Sequence, residues 1–506
     1  MPMICYVLNR LCRAMYRKDY RRLMRVSDMK SVQDEKLLAI LAKNKDTEFG
    51  RRYGFASITS VDEYRRCVPL SSYEDYLEPI EKIGEGEKNV LTAGDVRLLE
   101  LSSGSTSASK LIPYTDDLKE DFQRGLRAWI YDLYSQKNGI MNGKSYWSVT
   151  PVAGEKQYSS GGIPIGFDDD GQYFGKLEEK LFRFIFAVDP SVAHTNNMED
   201  FYRLTSVSLL AEGNLRLISV WNPTFLMLIL KYMKDHADEL LDRLPKRRKK
   251  KIRESLLKGD FQSIWPDLKL ISCWADAQAE PQAQALQNIF ADTAIQPKGL
   301  LATEGFVSFP LTDAGGAVLS VFSHYFEFIS PEDDKVYGAH ELKAGLQYEV
   351  VMTTSGGLYR YRIGDVVEVT GFYHALPILR FIGKRDLVCD LFGEKLNAVF
   401  VKNTLDRLGI QADFRMLAPA GDRYVLYVRS DAAVPNPDAA FRENFHYDYC
   451  RKLGQLKEMR VYRLTGDADR VYLDACVRRG QKLGNIKPPV LSLTDGWENI
   501  FEGAYQ

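Results

Sequence analysis

Short apolar segments alternate with helical segments from Val96 onward, and this alternation most constrains the fold. Residues Val96 to Leu101 predict a strand, a serine-rich turn follows, and Asp116 to Leu133 have the spacing of a helix. Strands that alternate with helices along a chain are typical of α/β domains. No sequence repeat of about 20 to 50 residues is present, which excludes solenoids and propellers. The sequence therefore predicts an α/β fold.

The chain changes character after Arg385, where a final stretch of about 120 residues begins. This stretch alternates predicted strands, such as Tyr424 to Val428, with a predicted long helix from Ala439 to Leu456. At about 150 residues per domain, a chain of 506 residues has room for two to four domains. We predict a large domain at residues 1–385 and a smaller one at residues 386–506.

Opposite charges nearly cancel, because 67 Lys and Arg against 68 Asp and Glu give a formal net charge of −1 at pH 7. A globally basic protein is therefore excluded. Hydrophobic residues make up 45% of the chain, which is enough for a large core and excludes a disordered chain. The basic run Lys246 to Lys251 has acidic flanks, which favours a solvated helix over a nucleic-acid site. We expect no nucleic-acid partner.

No segment predicts a membrane span or a secretory signal. The longest apolar run, around Phe225 to Leu230, is far shorter than the roughly 18 residues that a bilayer requires. The apolar start from Met3 to Leu8 precedes basic residues, which is the reverse of a signal peptide. Seven scattered cysteines without a C-x-x-C pair fit a reducing compartment, so we expect a cytoplasmic protein without structural zinc.

A helix is predicted near the amino terminus, where apolar residues fall on one stripe with arginines between them. The stripe consists of Leu8, Leu11, Cys12, Met15 and Leu23. A stripe of this kind can bind at a membrane interface. Docking of the stripe on the protein body is the favoured interpretation.

A hydroxyl-rich turn follows the first predicted strand, in the segment LELSSGSTSASKLIPYT from Leu99 to Thr115. Backbone N–H groups and hydroxyls around a glycine can surround the oxygens of a polyphosphate, and a lysine adds positive charge. A solvated serine-rich turn is the alternative. The candidate phosphate-binding residues are Ser102, Ser103, Gly104, Ser105, Thr106 and Lys110.

Two carboxylates are candidates for metal and nucleotide binding. Glu304 lies in the largely apolar segment LATEG, and Mg²⁺ usually takes only one or two protein carboxylates. Asp365 follows Gly364 in YRYRIGDV, in a turn predicted between strands at Tyr348 to Thr354 and Val366 to Thr370. A charged acceptor there can bind both hydroxyls of a ribose. A solvated strand end and a plain Gly-Asp turn are the alternatives.

A third candidate lies near the carboxyl end, where GNIKPP predicts a stiff loop that projects Lys487. A solvated surface lysine is the alternative. No H-E-x-x-H or G-x-S-x-G pattern is present, which removes the main support for zinc and serine hydrolases.

Taken in order, these segments resemble the adenylate-forming superfamily, and specifically the Gretchen Hagen (auxin-responsive promoter) family of acyl acid-amido synthetases. The resemblance covers nearly the whole chain and runs through VPLSSYEDYLEPIEKI, SSGSTSASKLIPYT, GGIPIG, LISVWNPTFL, LATEG, GLYRYRIGDVVEVTGF and GNIKPP. It implies a large adenylate-forming amino-terminal domain and a smaller, mobile α+β carboxyl-terminal domain.

The resemblance also implies an activity. ATP adenylates a carboxylic acid with release of pyrophosphate, and an amine or amino acid then takes the acyl group with release of AMP. Carried over by motif, the nucleotide-binding residues are Ser102, Ser103, Gly104, Ser105, Thr106, Lys110, Thr303, Asp365 and Lys384. Asp386 is implied at the hinge between the domains. The implied catalytic residues are Lys487, which bridges the attacking carboxylate and the α-phosphate, and Glu304, which is also the implied Mg²⁺ ligand.

The expected cofactors are ATP and Mg²⁺, and the expected partners are a small carboxylic acid and an amine or amino acid, bound to a monomer. Two alternatives stay open: an acyl-CoA-type ligase with a thiol acceptor, and a catalytically inactive binding protein that keeps the fold. For the aromatic and apolar residues near the implied acyl site, core packing is the favoured role. These residues are Tyr158, Ile163, Trp221, Phe225 and Phe306.

Overall fold

The computed structural model describes residues 2–102, 110–136, 138–148, 157–166, 184–195, 197–385, 388–389, 391–392, 394, 396–479, 481 and 486–506. Within these ranges the α-helices span Pro2–Met24, Met29–Asn44, Glu48–Arg52, Val61–Cys67, Leu77–Gly84, Asp116–Ser135, Met198–Ala211, Pro223–Asp235, Ala237–Asp242, Lys246–Lys258, Phe261–Ile264, Glu280–Ile289, Ala398–Arg407, Asp438–Phe441, Phe445–Lys452 and Ala468–Arg478. Short 3₁₀ helices span Phe55–Ser57, Tyr73–Tyr76, Ile140–Asn142, Pro190–His194, Ala277–Ala279, Ala339–Glu341 and Trp497–Asn499.

The described residues form four larger sheets, which differ in their strand pairing, and two short two-stranded ladders. The central sheet is antiparallel, in the order Ser308–Leu311, Gly316–Leu319, Leu376–Lys384, Tyr361–Tyr373, Gln347–Thr353, Tyr325–Ile329, Val336–Gly338. The parallel sheet has the order Lys144–Trp147, Leu215–Ser219, Leu270–Cys273, Ala294–Pro297. A third sheet has the order Lys110–Thr115, Val96–Ser102, Pro164–Ile165, Gln157–Tyr158, and the tail sheet has Phe414–Ala420, Arg423–Arg429, Arg460–Leu464, Gly503–Tyr505. The ladders pair Leu301–Ala302 with Gly305–Phe306 and Val388–Cys389 with Leu396–Asn397.

The predicted start of the alternation is confirmed. The strand predicted from Val96 to Leu101 extends to Ser102, and the helix predicted from Asp116 reaches Ser135. Thr115 caps this helix because its hydroxyl accepts a hydrogen bond from the Leu118 N–H at 3.2 Å. Helices that pack with parallel and antiparallel sheets confirm the α/β class.

The long helix predicted from Ala439 to Leu456 is wrong. The structure has two short helices, Asp438–Phe441 and Phe445–Lys452, with a turn between them. The side chain of Asn444 accepts a hydrogen bond from the Tyr447 N–H at 3.0 Å and so caps the second helix. A side chain that bonds its own backbone competes with helix continuation, which is why an apolar pattern alone misjudged this segment.

The amino-terminal helix docks on the protein body, as favoured above, but its inward face differs from the predicted stripe. Cys5, Cys12 and Tyr16 are buried, whereas Leu11 and Met15 are exposed. The inward face therefore combines apolar residues with a buried polar one, Asn9, whose side chain donates to the Met141 carbonyl at 3.0 Å.

The basic run lies on the helix Lys246–Lys258, which confirms the helical interpretation. Within the run Arg248 is buried, and its guanidinium donates to the backbone carbonyls of Leu210 and Ile264 at 2.7 and 3.1 Å. This arginine ties the helix to the body and is not part of a charged surface. In the described portion of the chain, no helix has both the length and the apolar character needed to cross a bilayer.

Residues from the end of the chain share a hydrophobic core with the helix Pro223–Asp235. That core includes Leu226, Ile229, Met416 and Ile486, all buried. An ion pair between Lys231 and Asp467 at 2.6 Å spans the rim of the same contact. This packing brings the loop around Lys487 against the amino-terminal part of the chain.

Candidate active site

The two ends of the predicted phosphate loop meet on one antiparallel ladder. Ser102 ends its strand and is paired in register with Lys110, the first residue of the next strand. The Lys110 Nζ lies 5.4 Å from the centre of the Tyr73 ring. Ser103, Gly104, Ser105 and Thr106 lie outside the described residues.

Thr303 and Glu304 form the tip of a tight hairpin, because Ala302 pairs with Gly305 in register. The Tyr114 hydroxyl donates to the Thr303 carbonyl at 2.6 Å and fixes this tip. Gly305 is required here, since a Cβ on it would approach the buried His324 imidazole to 2.8 Å.

Glu304 is a buried carboxylate within reach of several charges. Burial raises the pKa of Glu304, and the nearby Asp365 carboxylate raises it further, whereas Lys384 and Lys110 lower it. A raised pKa means that the charged form of the carboxylate is destabilised, so a cation bound beside it would stabilise that charged form. The hairpin tip, the phosphate-loop lysine and the ribose candidate are thus close in space.

Asp365 lies inside a long strand, so the predicted Gly-Asp turn is wrong. The strand runs from Tyr361 to Tyr373, and Gly364 occupies a positive φ of 75° within it. A register shift follows between Val366 and Val367, which is the signature of a bulge. Gly364 therefore lies at a bend within a continuous strand, whereas the sequence predicted a turn between two strands.

Lys384 lies directly opposite Asp365 on the neighbouring antiparallel strand. Its Nζ is 3.4 Å from the Asp365 Oδ1 and 3.3 Å from the Ile363 carbonyl oxygen. Asp365 is buried at 4% exposure, whereas the Lys384 side chain is 45% exposed. The ion pair therefore joins a buried carboxylate to a lysine at the surface.

The tyrosines and arginines of YRYRIGD hold this strand in place. Arg360 forms a bidentate ion pair with buried Glu327 at 2.9 and 3.1 Å, and it adopts a positive φ of 49°. Arg362 forms a second bidentate pair with Glu349 at 2.8 Å. Bidentate arginine pairs fix geometry as well as charge, so the segment serves to position Asp365.

Lys487 comes from the other end of the chain and joins the same group. Its Nζ lies 3.4 Å from the centre of the Trp274 indole and 5.7 Å from that of the Phe381 ring. Burial lowers the pKa of Lys487 to about 8, with Asp365 and Asp276 raising it and Lys384 lowering it. The Lys487 ammonium is therefore within electrostatic reach of the ribose candidate.

The loop that carries Lys487 is held by Asn222. The Asn222 side chain accepts a hydrogen bond from the Thr224 N–H at 2.9 Å, which caps the helix Pro223–Asp235, and its amide donates to the Ile486 carbonyl. One asparagine thus starts a helix and anchors the residue before Lys487. The implied hinge residue, Asp386, lies outside the described residues.

Sequence reasoning missed Asp276 and Trp274, which flank Lys487. The Phe381 N–H donates to the Asp276 carboxylate at 3.4 Å, and burial raises the pKa of Asp276. Neither residue lies in a motif. The sequence feature that could have identified them is their position just after the short apolar run that forms the strand Leu270–Cys273. Of the acyl-pocket candidates, Phe225 and Phe306 are buried in the core, as favoured, whereas Tyr158 is 57% exposed.

Two family models match this chain. The model of the GH3 family N-terminal domain matches residues 23–256, and that of the GH3 family central domain matches residues 317–384. Together they cover more than half of the chain.

Curated relatives are similar over most of their length. The jasmonoyl–L-amino acid synthetase JAR4 of Nicotiana attenuata is 24% identical over 420 residues, which are 72% of this chain and 70% of the relative. The putative indole-3-acetic acid-amido synthetase GH3.9 of Arabidopsis thaliana is 26% identical over 430 residues, with 72% of each chain covered.

Solved structures share the fold. A GH3.15 acyl acid amido synthetase superposes with a TM-score of 0.77 at 20% identity, covering 96% of this chain and 94% of that one. A 2-hydroxyisobutyryl-CoA ligase in the postadenylation state, in complex with 2-HIB-AMP, superposes with a TM-score of 0.54 at 11% identity, covering 93% and 90%. The motifs, the fold and the two matched models establish that the chain belongs to the GH3 family.

Proposed function

We propose that this chain is an ATP-dependent acyl acid-amido synthetase. The observation that carries the proposal is that Lys487, on the Trp274 indole, lies within electrostatic range of the Asp365–Lys384 ion pair, which also acts on Glu304. The curated relatives that match most of the chain are named as amido synthetases, which supports the same reaction.

In the first half-reaction a carboxylate oxygen attacks the α-phosphorus of ATP, and the bond to pyrophosphate breaks. Negative charge accumulates on the phosphate oxygens, so positive charges at fixed positions contribute most to stabilising the transition state. Lys487 bridges the carboxylate and the α-phosphate, Asp365 accepts hydrogen bonds from the ribose hydroxyls, and the backbone at Thr303 lies beside the nucleotide. Ser102, Lys110 and the predicted phosphate-binding residues between them bind the phosphates.

Glu304 is the residue that would hold Mg²⁺. It is a buried carboxylate whose charged form is disfavoured by burial, and it lies near the phosphate-loop lysine Lys110, which suits a hard cation shared with phosphate oxygens. Bound there, Mg²⁺ supplies positive charge to the phosphates.

In the second half-reaction the nitrogen of an amine or amino acid attacks the acyl carbon. The carbon–oxygen bond to AMP breaks, and the nitrogen loses its proton to solvent. Lys487 must withdraw to make room for the amine, so we assign residues 386–506 as the mobile domain and Asp386 as its hinge. The contact between Ile486 and Asn222 is one that this movement breaks.

The seven cysteines, all within the described residues, form no disulfide. Thiols without disulfides suit the reducing cytoplasm, which also supplies ATP, so we place the enzyme there. We assign it as a monomer that binds two small substrates in turn.

The test is ATP–pyrophosphate exchange over a panel of carboxylic acids, followed by addition of amino acids, simple amines or coenzyme A to the best acid. Exchange with at least one acid and an amide product support the proposal. A thioester as the main product would instead identify an acyl-CoA ligase. Absence of exchange over the whole panel would identify an inactive binding protein.

A further inference from the structure

One row of side chains crosses the carboxyl edge of the parallel sheet. Trp147, Ser219, Ser272 and Gln296 are paired in register on its adjacent strands, so their side chains share one face. Lys298 lies two residues beyond Gln296 and therefore on that same face. The crevice outside the carboxyl ends of the strands is where open α/β sheets bind ligands.

The Lys298 ammonium is surrounded by indole rings. Its Nζ lies 4.5, 6.0 and 4.8 Å from the ring centres of Trp129, Trp147 and Trp221, and it donates to the Ser219 hydroxyl at 2.8 Å. Two of the three indole N–H groups are used elsewhere, since Trp129 donates to Gln296 and Trp147 to Ser145, both at 3.1 Å. The π faces therefore remain for a cation.

Lys298 forms no ion pair with the described residues. It is 6% exposed, and no carboxylate of the described residues lies within 4.0 Å of it, whereas Lys36 has Asp121 at 2.6 Å. Cys273 does not supply a negative charge, because burial raises its pKa to about 12. Burial lowers the pKa of Lys298 itself to about 7. An ammonium this deeply buried is normally paired, so an anion bound beside Lys298 would stabilise its charged form.

A second polar group, the hydroxyl of Ser272, lies in the same row of side chains as Lys298. The Ser272 hydroxyl is fully buried and has no hydrogen-bond partner among the described residues, although it is in register with Ser219. Buried hydroxyls are normally satisfied, so a donor or acceptor from a ligand would complete the row. Trp147 and Trp221 are partly exposed, which leaves the row an open side.

The row is connected to the reacting centre but separate from it. The Trp221 indole contacts Trp274 at 6.0 Å between ring centres, and Lys487 lies on the Trp274 ring. The two lysines have different neighbours, since Lys298 bonds the Ser219 hydroxyl and lies near the Trp129 indole, whereas Lys487 lies between Trp274 and Phe381. A ligand that lay along the two indoles would have one end at each lysine.

We propose that Lys298, with Ser219 and Ser272, forms a second anion-binding subsite, which takes the far carboxylate of an acid that carries two carboxyl groups. The inference rests on the proposed function, in which one carboxylate is adenylated beside Lys487. The carbon skeleton between the two carboxylates lies along Trp274 and Trp221. The other carboxylate pairs with the Lys298 ammonium. The preferred acyl donor is thus a dicarboxylic acid with an apolar or aromatic frame.

The test compares aliphatic and aromatic dicarboxylic acids of increasing length, each paired with its monoamide, which keeps one carboxylate and replaces the other by a neutral group of the same shape. The readout is the ratio of kcat/KM for the two members in ATP–pyrophosphate exchange. We expect the best diacid to exceed its monoamide by about tenfold to a hundredfold, the range of a charge-assisted contact.

Lys298→Met should abolish this preference while exchange with the monoamide persists, and Lys298→Arg should retain part of it. Lys234→Met, which removes an exposed lysine from the helix Pro223–Asp235, is the matched control and should keep the full ratio. Equal rates for every diacid and monoamide, or a preference that Lys298→Met leaves intact, would overturn the inference while leaving adenylation established. Absence of exchange with every acid in the wild type would instead defeat the proposed function.

Discussion

The ammonium of Lys487 lies on the face of the Trp274 indole, 3.4 Å from the ring centre. The two residues are far apart in the sequence, and the contact exists because Asn222 holds the neighbouring Ile486 carbonyl. An indole face partly offsets the cost of burying an ammonium without neutralising it. Lys487 is therefore held on the indole within electrostatic range of Asp365.

Removal of the Lys487 ammonium should separate the two half-reactions. Lys487→Ala should lose about 3 kcal/mol of transition-state stabilisation in adenylation, or about two orders of magnitude in rate, since one preorganised donor is lost. Aminolysis of a supplied acyl-adenylate should persist. Lys452→Ala, at an exposed ion pair with Asp448, is the control. Equal damage to both half-reactions would refute the assignment.

Asp365→Asn should weaken ATP binding. A charged acceptor on ribose hydroxyls contributes about 1.5 to 3 kcal/mol, so KM for ATP should rise about tenfold to a hundredfold with a small change in KM for the acid. Glu368→Gln, on the same strand in a surface pair with Arg380, should leave both constants near wild type. The role in nucleotide binding is excluded if the two variants behave alike.

Glu304→Gln should raise the Mg²⁺ concentration needed for half-maximal pyrophosphate exchange by about tenfold or more, because a neutral amide is a poor ligand for a hard cation. Titration of Mg²⁺ at saturating ATP measures the effect. Wild-type Mg²⁺ dependence in this variant would show that the metal is held elsewhere.

The Arg360–Glu327 pair should matter for stability more than for chemistry. Glu327→Gln leaves two guanidinium groups, those of Arg360 and Arg65, without their buried partner, so the free energy of unfolding should fall by about 3 to 5 kcal/mol. Urea denaturation measures the loss. Glu368→Gln breaks a pair with an exposed arginine and should cost at most about 1 kcal/mol. Equal losses in the two variants would contradict the scaffold role of YRYR.

Lys298 should make stability depend on pH. Burial lowers its pKa from 10.5 to about 7, so between these values the unfolded chain binds more protons, and this contribution to stability rises with pH. Lys298→Met removes the buried charge and should be more stable than wild type at or below about pH 7, with the advantage shrinking toward pH 10. Denaturation across this range measures it; a constant difference would show that the lysine does not titrate there.

Secondary structure was predicted correctly where interactions between residues close in the sequence determine it. The strand at Val96, the helix at Asp116 and the strand from Val366 to Thr370 follow from apolar spacing and from β-branched runs. Two predictions were wrong. The turn predicted at Gly364 is a bulge within a strand, and a bulge has the same residue preference as a turn. The long helix predicted from Ala439 is interrupted at Asn444, which caps a second helix. At Gly364 the pairing with the neighbouring strand decides between a bulge and a turn, whereas at Asn444 a side chain that accepts from the Tyr447 N–H decides where a helix begins.

The sequence by itself determined the α/β class and the family, and it identified Glu304, Asp365 and Lys487 as candidates, because these depend on residue order along short segments. Only the tertiary structure decided that Lys487 lies against Trp274 within electrostatic range of Asp276, and that Lys298 lies among three tryptophans with no carboxylate of the described residues within 4.0 Å. Strand register and core packing bring together residues that are far apart along the chain, and no pattern in one segment records which distant segment will pack on it.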